Sequence, residues 1–106
     1  MMAVWAVGEL EQARAVEPLL RVLTDRDPAF RRAAASALGE IEDQAAVPGL
    51  VRALDDGNAE VRLMVAWALG VIEDGRAVPG LTRVLLGDSD PRVRVAAAGA
   101  LGDILD

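Results

Sequence analysis

The side chains that could do chemistry in this sequence are carboxylates and guanidiniums. Its 106 residues include 17 acidic side chains and 11 basic ones, and every basic one is arginine. There is no histidine, cysteine or tyrosine. An imidazole general base, a Ser-His-Asp arrangement, a thiol nucleophile, a disulfide and a Cys/His zinc site are therefore excluded within the chain. Paired carboxylates remain, Glu42-Asp43 and Glu73-Asp74, and such pairs can act as acid and base. These pairs recur along the chain, however, and a catalytic pair is normally unique, so they read as part of a repeated turn. The clusters Asp55-Asp56-Gly57-Asn58-Ala59-Glu60 and Asp88-Ser89-Asp90 offer hard oxygen atoms to calcium. Their spacing fails the twelve-residue calcium loop, which needs ligands at alternate positions and a terminal Glu, and capping accounts for them. No catalytic residue, metal or cofactor is assigned. A net charge of −6 argues against nucleic acid as a partner, since phosphate binders usually carry a basic surface. The expectation is binding rather than catalysis.

The elements that carry these residues repeat. SALGEIED (Ser36 to Asp43) returns as WALGVIED (Trp67 to Asp74), as GALGDILD (Gly99 to Asp106) and, at the start, as WAVGELEQ (Trp5 to Gln12). The preceding half repeats as AVEPLLRVL from Ala15, AVPGLVRAL from Ala46 and AVPGLTRVL from Ala77. The period is 31 residues, then 32, with the extra residue in the loop LLGDSDP. A period in this range implies a solenoid or an array. The organisation is a half repeat over 1–12 followed by whole repeats over 13–43, 44–74 and 75–106.

Each unit reads as an outer and an inner helix. The outer helix starts near Val16, Val47 or Val78, with Pro18, Pro48 or Pro79 in its opening turn, where a missing amide costs nothing. Val16, Leu19, Leu20 and Leu23 fall on one face at helical spacing. Asp27-Pro28, Asn58-Ala59 and Asp90-Pro91 then supply caps for the inner helices. The expected inner core faces are Phe30, Ala34, Ala37, Leu38 and Ile41; Val61, Val65, Ala68, Leu69 and Ile72; and Val93, Ala97, Ala100, Leu101 and Ile104. Alanine-rich packing explains how 53% of residues are hydrophobic while only 3% are aromatic. No segment alternates as a strand does, so the class is all-α.

The AVPGL opening, the Asp or Asn before the inner helix, Val61-Arg62 and Val93-Arg94 within it, and the Ala-Leu-Gly ending together resemble HEAT repeats. They look in particular like the short variety named after phycobilisome bilin lyases. The resemblance spans the chain and implies a right-handed α-solenoid of helix pairs. For function it implies an interaction scaffold, or an accessory subunit of a bilin-lyase-like enzyme, with no catalytic position carried over. The metal hydroxylases of this type use His-Glu pairs, which this sequence lacks. The resemblance also assigns Arg31, Arg62 and Arg94 a structural role, each tied to the capping Asp of its own or an adjacent unit. A second ladder, Arg21, Arg52 and Arg83, lies off the apolar face and reads as solvated surface.

The residues that break the repeat point to a site. One inner-helix register reads Trp5, Ser36, Trp67, Gly99; the register four residues earlier reads Met1, Arg32, Leu63, Val95; the one four later reads Glu9, Glu40, Val71, Asp103. Leu63, Trp67 and Val71 form an apolar stripe off the core face, where the first repeat carries the polar Arg32, Ser36 and Glu40. Inner helices of solenoids form the concave wall on which partners dock, and an apolar stripe centred on Trp is a candidate hot spot. Trp67, Leu63 and Val71, with Trp5, Arg32 and Ser36, are the expected protein-binding residues. Packing of Trp67 over Ser36 or Gly99 of neighbouring helices is the competing reading, and one indole can serve both.

The two end helices carry apolar residues with no covering repeat, which predicts a homo-oligomer or a piece of a longer array. A partner-less structural repeat fragment is a further alternative. The opening stretch has no charged leader and no apolar run reaches the length of a bilayer span, so the expected setting is cytoplasmic, away from membranes.

Overall fold

The computed structural model describes the backbone from Met2 and the side chains from Gln12 to Asp106. Six α-helices and no strand occur among the described residues: α1 (Met2–Val22), α2 (Pro28–Ile41), α3 (Val47–Ala53), α4 (Ala59–Ile72), α5 (Val78–Gly87) and α6 (Pro91–Leu105). The inner helices α2, α4 and α6 stack in sequence order, and the outer helices pack behind them, α1 on α2, α3 on α4 and α5 on α6. This is a helical solenoid.

The inner helices begin as their caps dictate. Asp27, Asn58 and Asp90 have extended backbones, and their side chains accept from amides of the first helical turn. Pro28 and Pro91 stand just inside, where the missing amide is not needed. The helices α2 and α4 end on left-handed residues, Glu42 (φ 59°) and Glu73 (φ 60°), whose amides close onto the Leu38 and Leu69 carbonyls. Asp43 and Asp74 then cap short 3-10 turns over Gln44–Ala46 and Gly75–Ala77 that lead into α3 and α5. The repeated acidic pairs are thus turn residues.

The first repeat departs from this pattern. A break is expected between the half repeat and the outer helix, but one helix runs through Met2–Val22 with Pro18 inside it. Two substitutions remove the stop. Gln12 replaces the capping Asp43 and Asp74, and Glu17 replaces the helix-starting Pro48 and Pro79. Pro18, one position later, therefore interrupts the amide ladder instead of opening the helix.

The core is a continuous seam of Leu, Val and Ala. Leu38, Leu50, Leu54, Leu69 and Leu81 are fully buried, with Val61, Val65 and Val93 between them. Phe30 corrects the expected core list. It is 57% exposed although Val61 and Val93, in its register, are completely buried. Val61 lies two turns before Ala68, on the face of α4 that meets Gly39 of α2. Phe30 occupies the same face of α2, which would meet a preceding inner helix. The half-repeat residues that would face it lie among those whose side chains are not described, and Ala37 on the same face is only half-buried.

Candidate interaction site

The arginine ladder is the strongest polar feature, and it holds the repeats together. Arg31 Nε and Nη2 donate to Asp56 Oδ2 and Oδ1 at 2.7 and 3.1 Å. Arg62 makes the same bidentate contact with Asp88 at 2.8 and 3.1 Å. Each Nη1 also donates to a carbonyl of its own turn, Arg31 to Asp25 at 2.7 Å and Arg62 to Asp56 at 2.8 Å. The acceptor carboxylate belongs to the adjacent unit and lies two residues before the capping position, so the caps Asp27, Asn58 and Asp90 are not the partners. Burial pushes the Asp88 carboxyl up, but the Arg62 hydrogen bonds, the Asp90 amide and the Arg62 charge outweigh this and hold it below the usual range. The Arg31 guanidinium is held up by its hydrogen bond to Asp56. These arginines are fully engaged and offer nothing to an acidic partner. Of the outer ladder, Arg83 pairs with the exposed Asp55.

The tryptophan register lies over a groove. A cavity of about 550 Å³ is lined by Ser36 and Glu40 of α2, Leu63, Met64 and Trp67 of α4, and Arg92, Val95 and Ala96 of α6. Three successive inner helices thus contribute to one floor. Trp67 is 43% exposed and Val95 72%. The indole leans toward the preceding helix: a β-carbon on Gly39 would fall 2.6 Å from Trp67 Cζ3. The indole therefore packs over Gly39, with Ser36 lining the same groove and nothing within 4 Å of a β-carbon on Gly99, while the rest of the ring stays open to the groove.

The other expected residues distribute around it. Leu63 is a half-buried wall of the groove, and Ser36 stands at its junction with a smaller hollow of about 250 Å³ that Arg32 lines with Ala29, Ala33 and Met64. Val71 is half-buried one turn beyond Trp67 and does not line the groove. Met1, Trp5 and Glu9 lie outside the described residues. Sequence reasoning missed Met64, Ala96 and Arg92. Met64 and Ala96 share a register one residue after Leu63 and Val95, so a wider stripe would have included them.

The rim is asymmetric in charge. Arg92 is held by Asp90 at 2.9 Å and by Glu60 of α4 at 2.7 Å, contacts that raise its proton affinity and fix its head. Glu40, opposite, makes no ion pair among the described residues, nor does Asp103 at the same level of α6. The uncompensated charge around the apolar floor is negative at the C-terminal ends of the inner helices.

A family model for HEAT repeats matches residues 1–60 and again residues 47–106. The chain belongs to the HEAT-repeat family. Proteins built from these repeats are commonly protein-interaction scaffolds and generally non-catalytic. No curated protein matches the chain. No helix among the described residues is long and apolar enough to cross a membrane.

Proposed function

We infer that the protein is a non-catalytic interaction module that binds a protein partner in the groove of its inner-helix face. The observation that carries this reading is the half-exposed Trp67 seated among Leu63, Met64, Val95 and Ala96, in a cavity of about 550 Å³ built by three helices. A large indole held in place on one side and open on the other supplies contact area with little ordering cost, as interface anchors do. Ser36 and Arg32 extend the site toward the first repeat, Val71 lies beside it, and Trp5 is the corresponding residue of the half repeat. With Glu40 making no ion pair among the described residues, a Lys or Arg beside the partner's apolar anchor suits the Glu40 end of the groove, and an acidic residue suits the Arg32 end. The accessory role in a bilin-lyase-like enzyme has no observation in its favour.

The test is capture of proteins from the source cell by the parent chain and by Trp67→Ala. A partner retained by the parent and lost with the variant supports the reading. An unchanged set of captured proteins, from a variant whose circular dichroism and melting match the parent, overturns it.

A further inference from the structure

The wall beside Trp67 changes charge along its length. On α2, Arg32, Ser36 and Glu40 follow one another at helical spacing. Ser36 and Glu40 line the groove with Trp67, and Arg32 lines the adjoining hollow with Ser36 and Met64, so all three lie on the side of α2 that faces α4. The matching places on α4 hold Leu63, Trp67 and Val71, which are all apolar. An apolar strip thus runs beside one that passes from a cation through a hydroxyl to an anion. The helical rise sets Arg32 and Glu40 about 12 Å apart.

The fold uses neither of these charges. Both side chains are exposed, and neither makes an ion pair among the described residues. The sequence before Gln12 contains no lysine, arginine or histidine that could answer Glu40. Arg31, one position before Arg32, is by contrast committed to Asp56 and to two carbonyls of its own turn. Arg92, across the groove, is committed to Asp90 and Glu60. Between Arg32 and Glu40 the floor offers a bound backbone very little. It is built from Leu63, Met64, Trp67, Val95 and Ala96, and only the Ser36 hydroxyl and the indole N–H can form hydrogen bonds there. An extended segment would lay peptide groups on that surface without partners, whereas a helix pairs its own.

We propose that the occupant of the groove is an amphipathic helix of the partner, laid along α2 and α4. Its apolar residues cover Trp67, a Lys or Arg meets Glu40, and an Asp or Glu meets Arg32. Charge complementarity selects these groups, and the apolar floor selects the helix. The inference rests on the reading that the groove holds a protein partner, and adds the partner's conformation and charge spacing. A helix covers about 12 Å in seven or eight residues, so its base and acid stand two turns apart on the face that carries the apolar anchors. An extended segment spans the same distance in about four residues. The two conformations therefore leave different spacings in a partner's sequence.

Selection from a phage-displayed library of random peptides of about 16 residues, four to five helical turns, tests the proposal with the full chain as bait. Peptides that bind the parent and are lost with Trp67→Ala are expected to carry apolar residues at helical spacing, with a base and an acid seven or eight positions apart. Their synthetic copies are expected to gain helical circular dichroism on binding. Glu40→Arg and Arg32→Glu are each expected to weaken a selected peptide about tenfold while melting like the parent. Exchanging the peptide's base for Glu is expected to restore binding to Glu40→Arg, and exchanging its acid for Lys to restore binding to Arg32→Glu. Peptides that need Trp67 but carry no charge pair, or carry it about four positions apart in an alternating pattern, overturn the proposal and leave the groove as a protein site. Affinities that both variants leave unchanged in folded chains do the same. A library that yields no peptide dependent on Trp67 also overturns it, and the groove itself is then judged by partner capture with Trp67→Ala.

Discussion

Trp67 of the second repeat rests on Gly39 of the first, so closely that a β-carbon on Gly39 would fall 2.6 Å from the edge of the indole. The same substitution at successive glycines of this register therefore has different consequences. Gly39→Ala meets the far end of the indole first and the Ala68 backbone only at 3.1 Å. It is therefore expected to turn the indole outward, seen as a red shift of Trp67 emission in a Trp5→Phe background, and to cost less stability than the next exchange. Gly70→Ala meets the Ala100 backbone at 2.9 Å and must separate α4 from α6, lowering stability by about 1–3 kcal/mol in chemical denaturation. Gly102→Ala meets nothing and gains helix propensity, raising stability by up to about 1 kcal/mol. Equal effects at all three would contradict the stacking described.

The bidentate Arg62–Asp88 pair is nearly buried, its side chains 13% and 6% exposed. Asp88→Asn keeps the shape but gives up the charge-assisted bonds and is expected to cost about 1–2 kcal/mol in denaturant unfolding. The exposed Arg83–Asp55 pair offers a control, since Asp55→Asn is expected to change stability by less than about 0.5 kcal/mol.

The carboxyls that titrate low set the pH response. The Arg76 side chain and then its amide depress Asp74, and those of Arg92 depress Asp90. Asp88 is also low, although burial opposes its pairing with Arg62. A depressed folded value means that the stabilisation is fully present above the unfolded Asp value, about 3.9, and is lost as pH falls through the folded values. With no histidine in the chain, the melting temperature is expected to be nearly flat from about pH 6 to 9 and to drop below about pH 4. A transition near pH 6.5 in a thermal melt series would contradict the assignment.

Glu42 and Glu73 hold left-handed backbones that favour glycine. Glu73→Gly relieves that strain at the end of α4, against a larger loss of chain entropy on folding. A net gain of about 0.5 kcal/mol is expected in denaturant unfolding, where the same exchange at the helical Glu60 costs about 1 kcal/mol.

Much of this architecture is legible because each repeat states its own punctuation. The Asp-Pro and Asn caps, the prolines of α3 and α5 and the 31-residue period place five of the six helices. The first repeat escapes this reading because its deviations are small in sequence. Gln12 for Asp and a proline displaced by one residue turn two expected helices into one. The arginine ladder reads as structural from its register alone, but the choice of Asp56 and Asp88 over the caps depends on the reach of a guanidinium across a junction. At the candidate site, helical spacing finds Leu63 and Trp67 on one helix. It cannot find a groove whose walls come from three helices, nor the Gly39 that seats the indole.

The central claim is that a protein partner docks against Trp67. The most direct measurement is Trp67 emission in a Trp5→Phe background, titrated with a partner captured by the parent chain. Docking predicts a saturable blue shift and protection from acrylamide, with Trp67→Ala weakening partner affinity roughly 30-fold, about 2 kcal/mol. Partner binding that leaves the emission and quenching unchanged, with undiminished affinity for Trp67→Ala, would contradict the account.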